Sequence, residues 1–154
     1  MSLVFSEYGL LAPREEPYPM ALAQIKTHFG HQNHARRNIF DGLRRGVDNL
    51  MAAGVQRIAL GGSFISRKEN PSDADIAWWY HPDIDWQQLD PVFQSEDRRA
   101  ALGKYLLDQQ VDGIQDVGYK LSHEFFLRSN NRMPFGHQQV GIVHIVTEVT
   151  FDYV

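Results

Sequence analysis

The chain folds around one segment, Leu60-Gly-Gly-Ser-Phe-Ile-Ser-Arg-Lys-Glu-Asn-Pro-Ser-Asp-Ala-Asp-Ile-Ala-Trp-Trp-Tyr80. It contains a glycine–serine turn, Gly62-Ser63, and two aspartates at alternate positions, Asp73 and Asp75. The turn offers backbone donors for an anion, and the aspartates offer carboxylates for a metal ion. No other segment of the sequence combines these two features. These residues therefore carry most of what the sequence indicates about function.

The residues on either side of the turn predict two strands. Residues 55–60 form a short apolar run that the glycines interrupt. Residues 73–80 end in aromatic residues, a composition typical of a strand. Between them, residues 64–72 predict a turn or one helical turn and then a loop, because Pro71 stops any helix. A short excursion of this kind returns the chain to a neighbouring strand, and we expect the turn to lie beside the aspartates.

The turn is a candidate phosphate site. Gly61 and Gly62 allow backbone conformations that side chains forbid, and they let a phosphate approach the main chain. If a helical turn begins at Ser63, its free N–H groups and its dipole favour an anion there, and the hydroxyl adds a donor. Arg67 and Lys68 follow closely enough to add positive charge. An ordinary turn has the same sequence, so the glycines alone are a weak signal.

Asp73 and Asp75 are candidate metal ligands. Residues two apart on a strand point to the same face, so the two carboxylates converge. Without a cation they repel each other, and one tends to remain protonated. Mg²⁺ prefers oxygen ligands and is often held by one or two carboxylates together with substrate phosphates. The pair therefore predicts a magnesium site of the kind that serves phosphoryl or nucleotidyl transfer.

The aspartates also have a purely structural interpretation, because Asp-x-Asp after Pro-Ser is a good turn and helix-cap sequence. Asp75 is, however, followed by Ile-Ala-Trp-Trp, which predicts the start of a buried strand. A buried carboxylate without a partner is costly. The position of Asp75 thus favours the metal-ligand interpretation.

The flanking segments predict helices. Residues 22–29 carry apolar side chains at helical spacing, and Gly30 ends that short helix. Residues 35–53 form the clearest helix, with one apolar stripe, and Gly54 lies where a C-terminal glycine belongs. Glycines within this helix, at 42 and 46, indicate a close packing partner. Its arginines alternate with aspartates and are expected on the solvent face: Arg36, Arg37, Arg44 and Arg45 with Asp41 and Asp48.

The remaining segments complete a single domain over residues 1–154. Residues 1–20 predict an irregular arm, because glycine and prolines prevent a long regular element. Ser95 is the candidate N-cap of a helix that reaches Leu107, residues 111–119 suggest a third strand, and residues 140–146 a further strand. The order of elements predicts an α+β fold, a mixed β-sheet with helices packed mainly on one face.

Composition excludes several classes of protein. The chain has 154 residues, 43% of them hydrophobic and 22% charged, which is ordinary for a soluble globular protein. It contains no cysteine, which excludes disulfides and thiolate chemistry and is consistent with the cytoplasm. No apolar run approaches the roughly 20 residues that a membrane helix needs, so no membrane association is expected. The net charge of −4 argues against a protein held on nucleic acid by its overall charge.

The central segment resembles the signature of the DNA polymerase beta-type nucleotidyltransferase superfamily: a hydrophobic strand, Gly-Ser, about ten residues and then Asp-x-Asp on the next strand. The match resembles the small, minimal members of this superfamily, including the antitoxin-like ones. The wider chain is similar to a bacterial and phage-borne branch with an N-terminal arm, here Phe5-Ser-Glu-Tyr-Gly-Leu-Leu-Ala-Pro13, and a late Gly141-Ile142-Val143 strand. The resemblance covers nearly the whole chain, but only the central motif is specific.

The resemblance implies roles for individual residues. Gly62 and Ser63 would hold the triphosphate of an NTP, and Asp73 and Asp75 would bind Mg²⁺. Active members also use a third carboxylate on a later strand as a metal ligand or general base. The sequence does not present this residue cleanly: the candidates, in order of preference, are Asp112, Asp116 and Glu148.

The expected function is therefore Mg²⁺-dependent binding of a nucleoside triphosphate and transfer of its nucleotidyl group to an acceptor hydroxyl. The acceptor, whether protein, RNA or small molecule, is not indicated by the sequence. The alternative is a catalytically degenerate binding or regulatory module, such as a toxin–antitoxin partner. Small members of the superfamily have an exposed sheet edge, which makes a homodimer or a protein partner plausible.

Overall fold

The computed structural model describes residues 3–14, 16–112 and 140–147. Within these residues the chain forms three α-helices and five strands, with two short 3-10 turns. In chain order they are β1 (Tyr18–Met20), α1 (Leu22–Phe29), α2 (His34–Ala52), β2 (Ile58–Gly61), a 3-10 turn (Ser63–Ile65), β3 (Ala74–Trp79), a second 3-10 turn (Pro91–Gln94), α3 (Arg98–Tyr105), β4 (Leu107–Asp112) and β5 (Val143–Ile145).

The strands form one mixed sheet in the order β1-β5-β2-β3-β4. β2 runs antiparallel to both of its neighbours, β3 and β5, whereas β1 pairs with β5 and β4 pairs with β3 in parallel. The parallel pair β3–β4 needs a crossover, and α3 supplies the helix in that connection. The predicted α+β fold with a mixed sheet is confirmed.

Alternation along the strands separates two faces of the sheet. One face packs against the apolar stripe of α2 in the main core, which includes Ile58, Leu60, Ile76, Trp78 and Leu107 from the strands and Ile39, Leu43, Val47 and Leu50 from the helix. The alternate strand residues Ala59, Ala77 and Trp79 lie on the opposite face, where they form a smaller cluster with Ile142. Asp75 belongs to this second face, away from α2, because it alternates with Ile76.

The first two helices follow the predicted boundaries. α1 ends at Gly30, and α2 begins after Asn33, whose side chain accepts a hydrogen bond from the Arg36 N–H. Gly54 follows α2 with a φ of 101°, the left-handed conformation that glycine adopts without strain. Among the residues that the structure describes, no helix has the length and apolar composition needed to cross a bilayer.

The N-terminal arm is more regular than predicted. It contributes β1, which lies at one end of the described sheet beside β5. The suggested edge strand at Val4-Phe5 is only an isolated bridge between Phe5 and Leu11. Proline at position 19 is compatible with an edge strand, because such a strand leaves one side of its backbone unpaired.

The junction between α3 and β4 differs from the prediction. Asp97, and not Ser95, caps α3, since its carboxylate accepts a hydrogen bond from the Arg99 N–H. The helix stops at Leu106, which adopts a left-handed φ of 56°. The strand therefore begins at Leu107, four residues earlier than the predicted start at Val111. Its sequence, Leu-Asp-Gln-Gln-Val-Asp, is poor in strand formers, so pairing with β3 decides its conformation.

Gly42 and Gly46 allow α2 to approach this junction closely, as their presence in the helix indicated. A Cβ atom on Gly42 would lie 2.0 Å from the carbonyl oxygen of Tyr105, and one on Gly46 would lie 2.6 Å from a methyl group of Leu107. The first contact is with backbone, which cannot rotate away. The two glycines thus help to set where β4 begins.

We expect Gly42→Ala to destabilise the protein by about 1–3 kcal/mol, because the added methyl group overpacks α2 against Tyr105. Thermal unfolding followed by circular dichroism measures the change. Gly103→Ala is the matched control, since a Cβ atom there meets nothing within 4 Å. It should stabilise α3 by up to about 1 kcal/mol, as alanine does in exposed helix interiors. Equal melting temperatures for the two variants would contradict the packing argument.

Candidate functional site

β2 and β3 bring the glycine turn to the aspartates. In their antiparallel pairing Gly61 lies opposite Asp75, one residue before the turn at Gly62. Gly62 has a φ of 84°, and a Cβ atom there would lie 2.4 Å from Oδ2 of Asp75. Only glycine satisfies both the left-handed conformation and this close approach. The turn and the aspartate pair therefore lie side by side.

Asp73 and Asp75 are joined by a third carboxylate, that of Asp108. β4 pairs with β3 so that Asp108 lies opposite Asp75. One oxygen atom from each of the three carboxylates lies within 4.8 Å of the others, and all three side chains are partly buried. In the part of the chain that the structure describes, no other group of three histidine or acidic side chains is arranged in this way. Three hard oxygen donors so close together suit a divalent ion such as Mg²⁺.

The third carboxylate is the functional residue that the sequence analysis missed. Asp112 ends β4 opposite Trp79, four residues beyond Asp108 and therefore roughly 13 Å further along the strand. Asp116 and Glu148 lie outside the described residues. Asp108 was overlooked because the helix before it was predicted to reach Leu107. The sequence does carry a weak signal: Leu107 and Val111 are apolar and lie on the strand face opposite to Asp108, which is the alternation typical of a strand.

Ser63 opens the 3-10 turn directly after Gly62. Its carbonyl oxygen accepts hydrogen bonds from the hydroxyl of Ser66, at 2.6 Å, and from the Ser66 N–H, at 3.1 Å. The Ser63 hydroxyl makes no hydrogen bond to the described residues and is half-buried.

The two predicted basic residues take different positions. The charge of Lys68 acts on Asp73, where it opposes the rise in pKa that burial causes. The Arg67 guanidinium lies 4.5 Å above the ring centre of Phe5, and the backbone N–H of Arg67 donates to the carbonyl of Gly9. Lys68 is therefore electrostatically coupled to the carboxylates, while Arg67 contacts the N-terminal arm.

Arg36 holds the segment that follows the turn. Its guanidinium donates to four backbone carbonyls, those of Phe29 at 3.1 Å, Phe64 at 2.6 Å, Ser66 at 2.7 Å and Lys68 at 2.5 Å. The residue is 4% exposed, so the expectation that it lies on the solvent face of α2 is wrong. The reason is that the loop after Gly62 folds over the first turn of α2. Several buried carbonyls of this loop then need hydrogen-bond donors, and the guanidinium of one arginine has enough N–H groups to supply them.

The carboxylate group has a perturbed titration. Burial, together with the negative charges of Asp73 and Asp108, raises the pKa of Asp75 to about 7. Burial also raises the pKa of Asp73, with a contribution from Asp108. The positive charge of Arg98 opposes both shifts. Each of these carboxylates makes ionisation of its neighbours less favourable. A bound cation would therefore strongly stabilise the ionised form of the group.

We expect the metal-free protein to lose stability as the pH rises from about 4 to about 7. The folded state keeps a proton on Asp75 in this window, whereas the unfolded chain, with an ordinary pKa of 3.8, has already released it. This pKa shift corresponds to a loss of at most about 4 kcal/mol in the free energy of unfolding. The melting temperature in EDTA should therefore be roughly 5–10 °C lower at about pH 7 than at about pH 4. Asp75→Asn should flatten this dependence, and added Mg²⁺ should reduce it. An Asp75→Asn variant with the same pH dependence as the wild type would contradict the assignment.

Comparison with known proteins adds one finding. No curated protein and no solved structure matches the chain. A family described as "Family of unknown function (DUF6932)" matches residues 3–146, which is nearly the whole chain. The match includes the glycine turn and all three aspartates, so the site lies within the family's shared region. The chain therefore belongs to DUF6932.

Proposed function

We propose that the protein binds a nucleoside triphosphate together with Mg²⁺ and transfers its nucleotidyl group to an acceptor hydroxyl. The observation that carries this proposal is the meeting of Gly62 with Asp75 beside a third carboxylate, Asp108. The nucleotidyltransferase-like motif requires a phosphate turn, an aspartate pair and a carboxylate on a later strand. Asp108, on β4, supports the proposal as the candidate for the last of these, because one of its oxygen atoms lies within 4.8 Å of one from each of Asp73 and Asp75.

Each part of the site has a role in this reaction. The backbone N–H groups that follow Gly62, with the Ser63 hydroxyl, would bind the phosphates. Asp73, Asp75 and Asp108 would hold Mg²⁺, which when bound neutralises charge on the phosphates and on the attacking oxygen. The acceptor oxygen attacks the α-phosphorus, the bond to the β-phosphate oxygen breaks, and pyrophosphate leaves. Positioning and charge neutralisation supply most of the rate enhancement in such reactions.

The carboxylates also offer a destination for the proton of the acceptor hydroxyl. Asp75 has a pKa of about 7, close to the value that suits a general base at neutral pH. Metal ligation lowers that pKa, because the cation favours the ionised form. Both oxygen atoms of Asp108 accept hydrogen bonds from Arg98. We assign proton acceptance to this group of three carboxylates.

The test has two stages. Isothermal titration of the protein with each of the four NTPs, in Mg²⁺ and again in EDTA, measures metal-dependent binding. Incubation with α-labelled NTP and cellular acceptors then measures transfer. Binding followed by transfer supports the full proposal. Binding without transfer favours the second candidate, a degenerate binding module that works through a protein partner. A folded protein that binds none of the NTPs at any Mg²⁺ concentration contradicts both.

A further inference from the structure

Arg98 closes one side of the carboxylate group. It is the first residue of α3, and its guanidinium donates to both oxygens of Asp108, from Nε at 2.9 Å and from Nη2 at 2.6 Å. Its charge also reaches Asp73 and Asp75. No residue of the sequence motif predicts this contact. A guanidinium at hydrogen-bond distance from Asp108, a proposed metal ligand, needs an explanation.

The backbone of Arg98 is held in place from two directions. Asp97 caps α3 by accepting a hydrogen bond from the Arg99 N–H. Further along the helix, the buried carboxylate of Asp90 accepts hydrogen bonds from Lys104 and from the hydroxyl of Tyr105, each at 2.5 Å. Contacts at both ends therefore hold α3 in place, while the side chain of Arg98 is mostly exposed.

We propose that Arg98 makes this site selective for a metal–triphosphate complex over the bare metal ion, an inference that rests on the proposed function. A divalent ion alone would share Asp108 with a guanidinium, and the two positive charges repel each other. A triphosphate that arrives with the ion brings negative oxygens within reach of the same guanidinium. Arginine then binds phosphate through the fork of donors that it presents to Asp108 in the free protein.

The exposure of the ion pair supports this exchange. The side chain of Arg98 is 68% exposed, and that of Asp108 is 27% exposed. Because the Arg98 side chain is mostly exposed, water can solvate its guanidinium when it leaves Asp108, which reduces the cost of breaking the pair. A buried pair would resist such a movement. When the phosphate binds the guanidinium of Arg98, Asp108 loses that hydrogen-bond partner and becomes available to the metal ion.

The test compares Arg98→Met with the wild type. Methionine keeps an unbranched apolar stem and removes the guanidinium and its charge. Two affinities are measured by titration: that of Mn²⁺ alone, and that of the tightest-binding NTP in saturating Mn²⁺. We expect Arg98→Met to bind Mn²⁺ alone about tenfold more tightly and the Mn²⁺–NTP complex about tenfold more weakly, within the usual range for coupled ligands.

Arg99→Met is the matched control, because Arg99 pairs with Asp97 on the exposed start of the same helix. It should leave both affinities within about twofold of the wild type, since exposed ion pairs of this kind contribute little. Arg98→Lys provides a second variant: it keeps the positive charge near Asp108 and loses the two-pronged phosphate contact. It should therefore bind Mn²⁺ alone like the wild type and bind the nucleotide complex more weakly.

Two results would overturn the inference while leaving the proposed function intact. An Arg98→Met variant that loses both affinities equally would show that Arg98 only orients Asp108. One that keeps both affinities would show that Arg98 contacts neither ligand. A wild type that binds neither Mn²⁺ nor any NTP would overturn the proposed function itself, and this inference with it.

Discussion

Asp75→Asn should weaken Mg²⁺-dependent NTP binding by at least about 100-fold, because under the proposed function it replaces a negatively charged metal-binding carboxylate with a neutral amide. The same substitution removes the carboxylate that burial and its two neighbours disfavour. The metal-free variant should therefore melt at a higher temperature than the wild type at about pH 8. Isothermal titration and thermal unfolding measure the two effects. Loss of binding in a more stable protein excludes unfolding as the cause.

Four further asparagine variants make this result specific. Asp73→Asn should behave like Asp75→Asn, whereas Asp83→Asn should not, because the Asp83 side chain is 89% exposed and distant from the group. Asp108→Asn and Asp112→Asn decide which residue is the third carboxylate. Binding that survives Asp108→Asn and is lost in Asp112→Asn would contradict the site built on Asp108.

Arg36→Met should be the most destabilising substitution among these predictions. It leaves buried carbonyls without their donor, those of Phe29, Phe64, Ser66 and Lys68. Unsatisfied buried groups cost about 1–3 kcal/mol each, and partial rescue by water leaves a net loss of roughly 3–5 kcal/mol. For a chain of this length the melting temperature should fall by about 10 °C, as measured by calorimetry or circular dichroism.

Arg37→Met is the control for Arg36, since it removes the same chemical group one residue later. Arg37 is exposed and its guanidinium makes a single long hydrogen bond, of 3.4 Å, to the carbonyl of His31. Its loss should change stability by less than about 0.5 kcal/mol. Arg36→Lys should not rescue the fold, because an ammonium group cannot span carbonyls arranged for a planar fork. Similar melting temperatures for the Arg36 and Arg37 variants would contradict the role assigned to Arg36.

Local patterns predicted the helices and the central pair of strands. The apolar stripe of α2 and the glycines after α1 and α2 specify where those helices lie and end, because they act through neighbours in the chain. The aromatic composition of residues 73–80 predicted β3 in the same way. The strands that depend on pairing with segments far away in the sequence were missed or placed at the wrong residues. β1 needs β5 as its neighbour, and β4 is stabilised by pairing with β3 more than by its own composition.

The candidate site divides along the same line. By itself the sequence determined the glycine turn, the serine and the aspartate pair, because these residues lie within one short excursion between adjacent strands. Only the tertiary structure decided the third carboxylate, the cation beside it and the burial of Arg36. Asp108 is 33 positions after Asp75 in the sequence, yet the parallel pairing of β3 and β4 sets them opposite each other. The left-handed turn at Leu106 and the close contact at Gly42 set that register, and neither is visible in a local pattern.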